Sequence, residues 1–177
     1  DPWLLVYGHD KYSEKKYCTK MVPLSRKVNE FMPVHTSELL DEAFMEAGID
    51  ENPFKIAILG VAYKGNCDDT RNTPVVSIVE KVKRLFSYNK LEIIAHDPYV
   101  KAMDYNTTEL TRDLDKAIMD ADGIIIATNH SMYKDLDLAD LRKKMRHLVI
   151  IDGRNILNKK ECQDHGFIYR KVGEGPN

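Results

Sequence analysis

The sequence is poor in cysteine and lacks long apolar runs. It has three cysteines in 177 residues, namely Cys18, Cys67 and Cys162. No CxxC pair or Cys/His cluster occurs, so the sequence predicts free thiols in a reducing cytosol and no zinc or other metal site. No apolar run reaches the roughly 18–20 residues that a membrane-spanning helix needs, so we expect no membrane span.

Neither sign of charge is in large excess. Lys and Arg number 26 against 28 Asp and Glu, which gives a formal net charge of −2. This balance creates no basic field that attracts nucleic acid or anionic lipid, so we expect neither as a partner. The 43% hydrophobic and 31% charged content is ordinary for a globular protein. A chain of this length suffices for one full domain with additional structure.

The region before residue 50 is predicted to be mainly helical. Residues 1–10 read as a short extended or turn segment. From Ser13, which can cap a helix, to about Ala47, apolar residues recur at helical spacing. Pro23 and Pro33 each remove a backbone donor, so the sequence predicts a long helical segment that kinks or breaks at these positions.

After residue 52 the pattern alternates between strands and helices. Candidate strands lie at 55–60, 91–95, 123–127, 147–151 and 167–170, with helices near 74–88, 111–120 and 137–145. The first four strands are rich in Ile, Leu, Val and Ala, which suits a parallel sheet buried on both faces. This order predicts a Rossmann-like, doubly wound α/β domain over residues 51–177, preceded by the kinked helical segment.

Polar residues follow four of the predicted strands. In an open α/β sheet, ligands bind beyond the carboxyl ends of the strands. The residues at these ends are Lys64 with Arg71, then Asp97, then 128–130, then 152–154. Together they predict a binding rim, although exposed loops are commonly polar for solvation alone. Asp97 would either meet ribose hydroxyls or cap a loop.

The loop after the first strand belongs to the segment KIAILGVAYKGNCDDTRNTP at 55–74. A GxGxxG loop lets backbone amides approach a pyrophosphate, but only Gly60 and Gly65 are present here. Side-chain cations must therefore contribute to phosphate binding. Lys64 offers a point charge and Arg71 a bidentate fork. The competing interpretation is a solvated ion-pair network of these cations with the neighbouring aspartates.

The same loop resembles the signature of the nucleotide-sugar-binding domain in the UDP-glucose/GDP-mannose dehydrogenase family. The matching positions are Gly60, Ala62, Tyr63, Lys64, Asn66, Asp69, Arg71, Thr73 and Pro74. Further segments resemble other motifs of this family: SRKVNEFMP at 25–33, HDPYV at 96–100, IIDGRNIL at 150–157 and GFIYRKVGEG at 166–175. His96 stands where the family usually has Tyr. The resemblance covers nearly the whole chain.

The start, Asp1-Pro2-Trp3, resembles residues that follow the catalytic cysteine in the branch that oxidises UDP-N-acetylhexosamines. By this resemblance the nucleophile lies four residues before Asp1, and an NAD-binding domain with its GxGxxG precedes it. We therefore expect a C-terminal portion of a larger protein. Residues 1–50 would end the catalytic loop and form a central interdomain and dimerisation helix, and residues 51–177 would form the UDP-sugar-binding domain.

The resemblance implies an NAD-dependent UDP-sugar 6-dehydrogenase that oxidises a UDP-N-acetylhexosamine to the uronic acid through a cysteine-bound intermediate. Asp1 would be catalytic, orienting or deprotonating water. Tyr63, Lys64 and Arg154 would bind the UDP-sugar. Arg71 would contact NAD, which the other domain mainly holds.

The resemblance further implies a cytoplasmic homodimer joined through the helical region 13–47. UDP-N-acetylmannosamine is the favoured substrate, while GlcNAc, GalNAc and glucose stay open. The isolated chain is expected to be inactive, because the cysteine and the NAD domain are missing from it. The alternatives are a stand-alone nucleotide-sugar-binding module and a dimerisation module without catalysis.

Overall fold

The computed structural model describes residues 2–14, 20–50, 52–87, 90–102 and 108–174. The chain divides into two compact units, residues 1–32 and residues 33–177. The second unit begins at Pro33 because the C-terminal part of a long helix packs in the same core as the sheet. The functional boundary near residue 50 stays a prediction.

The first unit is helical from its first described residue. Helix α1 spans Pro2–Tyr12, so the prediction of an extended segment over residues 1–10 was wrong. None of the residues of α1 is buried, and the sequence therefore carries no periodic apolar face that would reveal a helix. Pro2 is compatible with a helix start, because the first N–H groups of a helix have no partner within it.

Helix α2 spans Met21–Ala47 and passes through Pro33. The predicted helix start at Ser13 was therefore wrong. Of the kink or break predicted at Pro23 and Pro33, the break does not occur, and the kink stays a prediction. Pro23 lies in the first turn, where its missing N–H costs nothing. Pro33 is buried, and we attribute its tolerance inside the helix to the packing of the residues that follow it.

The second unit is an α/β domain, as predicted. Its strands are β1 Phe54–Leu59, β2 Leu91–His96, β3 Glu109–Thr111, β4 Gly123–Ile126, β5 Val149–Asp152 and β6 Ile168–Lys171. Its further helices are α3 Val75–Leu85, α4 Leu114–Ile118, α5 Leu138–Lys144 and α6 Lys159–Asp164, with a 3₁₀ turn η1 at Ser131–Tyr133. The strands form one sheet in the order β3-β2-β1-β4-β5-β6, and every neighbouring pair is parallel. This is the Rossmann strand order.

Helices cover both faces of the sheet. One face packs against α2 and α3, through side chains such as Phe44 and Val79. The other packs against α4, α5 and α6, through side chains such as Ile118 and Leu141. Alternate residues of β1 enter the two cores, which explains why the strand reads as a continuous apolar run.

The sequence prediction missed one strand and one α-helix of this domain, as well as the 3₁₀ turn η1. Strand β3 has only three residues, all at least partly exposed, so it shows neither a buried run nor a clear alternation. Helix α6 has one turn and a half with one buried residue, Cys162. The sequence nevertheless contains a typical N-cap residue for this helix. The Asn158 side chain accepts a hydrogen bond from the Glu161 N–H three residues later.

Candidate functional site

Four loops meet at one edge of the sheet because β2, β1, β4 and β5 are consecutive neighbours. The structure thus brings to one edge the polar residues that follow these strands. The strand order reverses between β1 and β4, which is where ligands bind in open α/β sheets. The loop after β1, residues 60–74, is the longest described connection at this switch point.

The loop after β1 folds back on itself and crosses to the loop after β4. The Tyr63 N–H donates to the Asp69 carbonyl (2.7 Å) and closes the loop. Further along, the Asn66 N–H donates to Nδ1 of His130 (2.8 Å). The Asn66 side chain accepts from the Ser131 N–H (2.9 Å) and donates to the Ser131 hydroxyl (2.8 Å).

Gly60 and Gly65 permit this crossing. Gly60 has a φ of +90°, and a Cβ there would overlap the Thr128 side chain. A Cβ on Gly65 would overlap the carbonyl oxygen of Asn129. The two glycines therefore allow close approach of the loop after β4. The need for glycine at these two positions was not predictable from the sequence.

This packing differs from that of a dinucleotide site. In a dinucleotide site, the first strand leads through closely spaced glycines to a helix N-terminus that receives the pyrophosphate. Here α3 begins only at Val75, and the intervening backbone lies against residues 128–131. The loop after β1 therefore lacks the direct passage from strand to helix N-terminus that a dinucleotide site uses.

The three residues predicted to bind a UDP-sugar are exposed at this edge of the sheet. Arg154 follows β5, and its Nη2 donates to the Tyr63 carbonyl (3.3 Å). Lys64 is the next residue along the loop and is exposed. Within the part of the chain that the structure describes, neither Lys64 nor Arg154 has an ion pair. The rim therefore carries two cations without a neutralising carboxylate.

Arg71 differs from these cations because it is paired. Its Nε and Nη2 donate to the two carboxylate oxygens of Asp69 (2.9 and 2.8 Å). The side-chain hydrogen bond from Arg71 lowers the pKa of the Asp69 carboxyl to about 2. The Arg71 side chain is still 85% exposed. Among the described residues the predicted ion-pair network thus reduces to this one pair, without Lys64 or Asp68.

Asp97 is a loop cap with no atom left exposed. It is 0% exposed. Its Oδ2 accepts from the N–H groups of Val61 and Ala62 (2.8 and 3.1 Å), and its Oδ1 accepts from those of Tyr99 and Val100 (2.9 and 3.0 Å). Of the two roles considered from the sequence, the cap is therefore correct for the domain as it stands.

His130 completes the set of donors to Asp97. Its Nε2 lies 2.9 Å from Oδ2, and both side chains are fully buried. Because Nδ1 accepts the Asn66 N–H, Nε2 must carry the proton and the ring is neutral. Burial alone would raise the pKa of Asp97, but hydrogen bonds from His130 and the backbone lower it well below its usual range. A buried role for His130 was not evident from the sequence.

Asp152, the last residue of β5, has the same structural role as Asp97. Its Oδ1 accepts from the Arg154 N–H (2.9 Å). Its Oδ2 accepts from the N–H groups of Ile156 and Leu157 (2.8 and 2.9 Å) and from the Tyr169 hydroxyl (2.9 Å). The buried carboxylate therefore shapes the turn that presents Arg154 at the rim.

Some predictions concern residues beyond the described ones. Asp1, predicted to be catalytic, and Cys18 both lie outside the described residues. In the part of the chain that the structure describes, no group of three or more His, Cys, Asp or Glu side chains is arranged to hold a metal ion. Among the same residues, no helix has the length and apolar character of a membrane span.

The chain is similar to known nucleotide-sugar dehydrogenases. The UDP-N-acetyl-D-mannosamine dehydrogenase of Pyrococcus horikoshii is 38% identical over 176 residues, which are 99% of this chain and 37% of that protein. A structure of UDP-D-ManNAc dehydrogenase from the same organism matches with a TM-score of 0.78 and 35% identity, over 97% of this chain and 36% of its own. The chain thus spans little more than a third of these relatives.

A second solved structure is similarly close. The NDP-N-acetyl-D-galactosaminuronic acid dehydrogenase of Methanosarcina mazei matches with a TM-score of 0.81 and 32% identity, over 97% of this chain and 36% of its own. The family model for the UDP binding domain of UDP-glucose/GDP-mannose dehydrogenases matches residues 57–159. These residues run from β1 to the start of α6 and include all four rim loops. The chain belongs to the UDP-glucose/GDP-mannose dehydrogenase family.

Proposed function

We propose that this chain supplies the nucleotide-sugar-binding part of an NAD-dependent UDP-sugar 6-dehydrogenase. The observation that carries the proposal is the pair of exposed cations Lys64 and Arg154, which have no ion pair among the described residues, beside a loop that lacks the glycine-rich turn of a dinucleotide site. A UDP-sugar brings a diphosphate that such cations can bind.

Each of the three rim residues would contribute differently to binding of the UDP-sugar. Lys64 places a mobile point charge near the diphosphate. Arg154 spends one of its five donors on the Tyr63 carbonyl and keeps the others for the ligand. The Tyr63 ring, 56% exposed, offers an apolar face to the sugar or the base. Because the Asp152 turn and the Tyr63 contact hold Arg154, less side-chain entropy is lost when an anion binds.

Arg71 is the one residue of this chain that we propose as a contact for NAD. Since the loop after β1 lacks the glycine-rich turn of a dinucleotide site, NAD would be held mainly by another domain of the whole enzyme. Arg71 lies on the same loop and is exposed despite its pairing with Asp69. We include it as a contact for NAD, and we include Asp1 as the residue that orients water near the catalytic cysteine.

The favoured substrate is a UDP-N-acetylhexosamine, with UDP-N-acetylmannosamine first. Support comes from the relative at 38% identity, whose name specifies that sugar. The Methanosarcina structure is named for an N-acetylgalactosaminuronic acid. The class of N-acetylhexosamine is therefore better supported than the choice of mannosamine within that class. A cytoplasmic setting is supported by the free thiols Cys67 and Cys162, which suit a reducing compartment.

Dimerisation through the region 13–47 is also part of the proposal. Leu24, Val28 and Phe31 are 63%, 55% and 49% exposed, and their spacing puts them on one side of α2. A second copy of the chain would cover this apolar face. Sedimentation of the chain should then show a dimer, and a folded monomer at all concentrations would remove this part of the proposal.

Calorimetric titration of the chain with UDP, UDP-N-acetylglucosamine and NAD⁺ tests the binding function. We expect the two uridine ligands to bind and NAD⁺ to give no signal, and we expect no turnover by the chain alone. A folded dimer that binds no uridine ligand would favour a pure assembly module. Binding of NAD⁺ without UDP would contradict the proposal directly.

Lys64→Ala sharpens this test. Loss of one charged hydrogen bond costs roughly 1.5–3 kcal/mol, so the dissociation constant for UDP should rise roughly 10- to 100-fold. In an active enzyme that contains this chain, the change should raise KM for the UDP-sugar more than it lowers kcat. The matched control is Lys143→Ala, an exposed lysine near the end of α5, at the opposite end of the sheet. Equal effects of the two substitutions would remove Lys64 from the site.

A further inference from the structure

The buried pair of Asp97 and His130 lies beneath the loop that carries Lys64. Both side chains are 0% exposed, so neither touches a ligand on the rim. The pair nevertheless contacts the loop on both sides of Lys64. Asp97 accepts from Val61 and Ala62, and His130 accepts from Asn66, while Lys64 lies between these anchors.

We propose that His130 is a positioning residue, whose Nδ1 holds the Asn66 N–H and thereby fixes the loop that presents Lys64 to the UDP-sugar. This inference rests on the proposed function of the rim. It adds a residue that acts through the loop backbone and not by contact with substrate.

The anchor at Asn66 is built from several contacts. Asn66 has a φ of +59°, a conformation that Asn tolerates better than most residues. Its N–H reaches His130, and its side chain makes two hydrogen bonds with Ser131. Three hydrogen bonds therefore join this one residue to the loop after β4, two positions beyond Lys64.

The His130 ring is held so that Nδ1 always faces the loop. Asp97 fixes Nε2 as the protonated nitrogen. The Tyr99 ring lies against one side of the imidazole, with centroids 5.1 Å apart, and the Tyr133 ring meets it edge-on at 5.5 Å. The acceptor for the Asn66 N–H is consequently in place before any ligand binds.

Two substitutions separate the functions of the two ring nitrogens. In His130→Asn, the amide oxygen can occupy the place of Nδ1, so the acceptor for Asn66 is kept while the donor to Asp97 is lost. In His130→Gln, the amide N–H can occupy the place of Nε2, so the donor to Asp97 is kept while the acceptor for Asn66 is lost. Both variants remove the same ring from the same core.

Two measurements on the 177-residue chain test the proposal: amide hydrogen exchange at Asn66 by NMR and the dissociation constant for UDP by calorimetry. We expect His130→Gln to speed exchange at Asn66 and to weaken UDP binding, each about tenfold. His130→Asn should lose clearly less of both. Tyr133→Phe is the matched core control, because the Tyr133 hydroxyl bonds to His96 and not to Asn66; it should change neither measurement.

Several outcomes overturn the inference. Equal losses in the Asn and Gln variants would mean that only the packing of the ring matters. Faster exchange in His130→Gln with unchanged UDP affinity would show that the anchor does not position Lys64. If both variants fail to fold, amide exchange at Asn66 in the wild-type chain still tests the proposal, because an N–H held by the buried His130 ring should be strongly protected. Exchange at Asn66 as fast as in an unfolded chain would overturn the inference.

The failure of the proposed function gives a different result. In that case the wild-type chain would bind no UDP, while the exchange at Asn66 would still report whether His130 holds the loop. If His130 holds the loop but the chain does not bind UDP, the proposed ligand is wrong and the contact between His130 and Asn66 still stands.

Discussion

Replacing Asp97 with asparagine removes one charge and one acceptor oxygen from a fully buried position. The carboxylate accepts five hydrogen bonds, three at Oδ2 from Val61, Ala62 and His130 and two at Oδ1 from Tyr99 and Val100. An asparagine side chain has one acceptor oxygen, so its NH₂ group must face at least two of these donors in either orientation.

The expected cost follows from this count. Each buried donor left without an acceptor costs about 1–3 kcal/mol. With at least two such donors, Asp97→Asn should lower the free energy of unfolding by about 2–6 kcal/mol. A loss of this size is a large part of the 5–15 kcal/mol that is typical of a whole domain.

Urea unfolding followed by far-ultraviolet circular dichroism measures this change, with Asp137→Asn as the control. Asp137 caps α5, and one oxygen accepts both of its hydrogen bonds, from Ala139 and Asp140. Asparagine caps a helix as well as aspartate does, so this variant should lose less than about 1 kcal/mol. If Asp97→Asn were no more destabilising than Asp137→Asn, the account of the buried carboxylate would be refuted.

The same variant carries a pH dependence with a defined sign. The pKa of Asp97 is lowered in the folded state by His130 and the backbone donors, against the effect of burial. A lowered pKa adds stability above the unfolded value near 3.9, and this stability is lost as pH falls toward the folded pKa. The stability difference between wild type and Asp97→Asn should therefore be full at neutral pH and shrink below about pH 4.

Two further predictions concern the loop after β1. Gly65→Ala should destabilise the domain by about 1–3 kcal/mol and weaken UDP binding, because its Cβ would overlap the backbone of the β4 loop; unchanged stability in urea would contradict the close approach. Arg71→Ala should raise the pKa of Asp69 from about 2 toward about 4, as followed by NMR titration of the carboxyl group. A pKa that stays near its wild-type value would show that Arg71 is not its cause.

The predictability of each element followed its burial. Strands β1, β4 and β5 are covered on both faces, so they stood out as uninterrupted apolar runs. Helix α1 has no buried residue and strand β3 lies at the sheet edge, so neither left a pattern. The prolines of α2 were misjudged because their cost depends on position in the helix and on packing, which local sequence does not state.

The sequence by itself determined the alternation of buried strands and helices after residue 52, and hence the parallel α/β class, because buried runs and helical spacing are local properties of the chain. It also determined the loop signature with Tyr63, Lys64 and Arg71. Only the tertiary structure decided what the neighbouring residues do. Gly60 and Gly65 pack against a loop more than sixty positions away, and His130 reaches Asp97 across the one strand, β1, that lies between β2 and β4. Such contacts depend on strand order in the sheet, which no local pattern encodes.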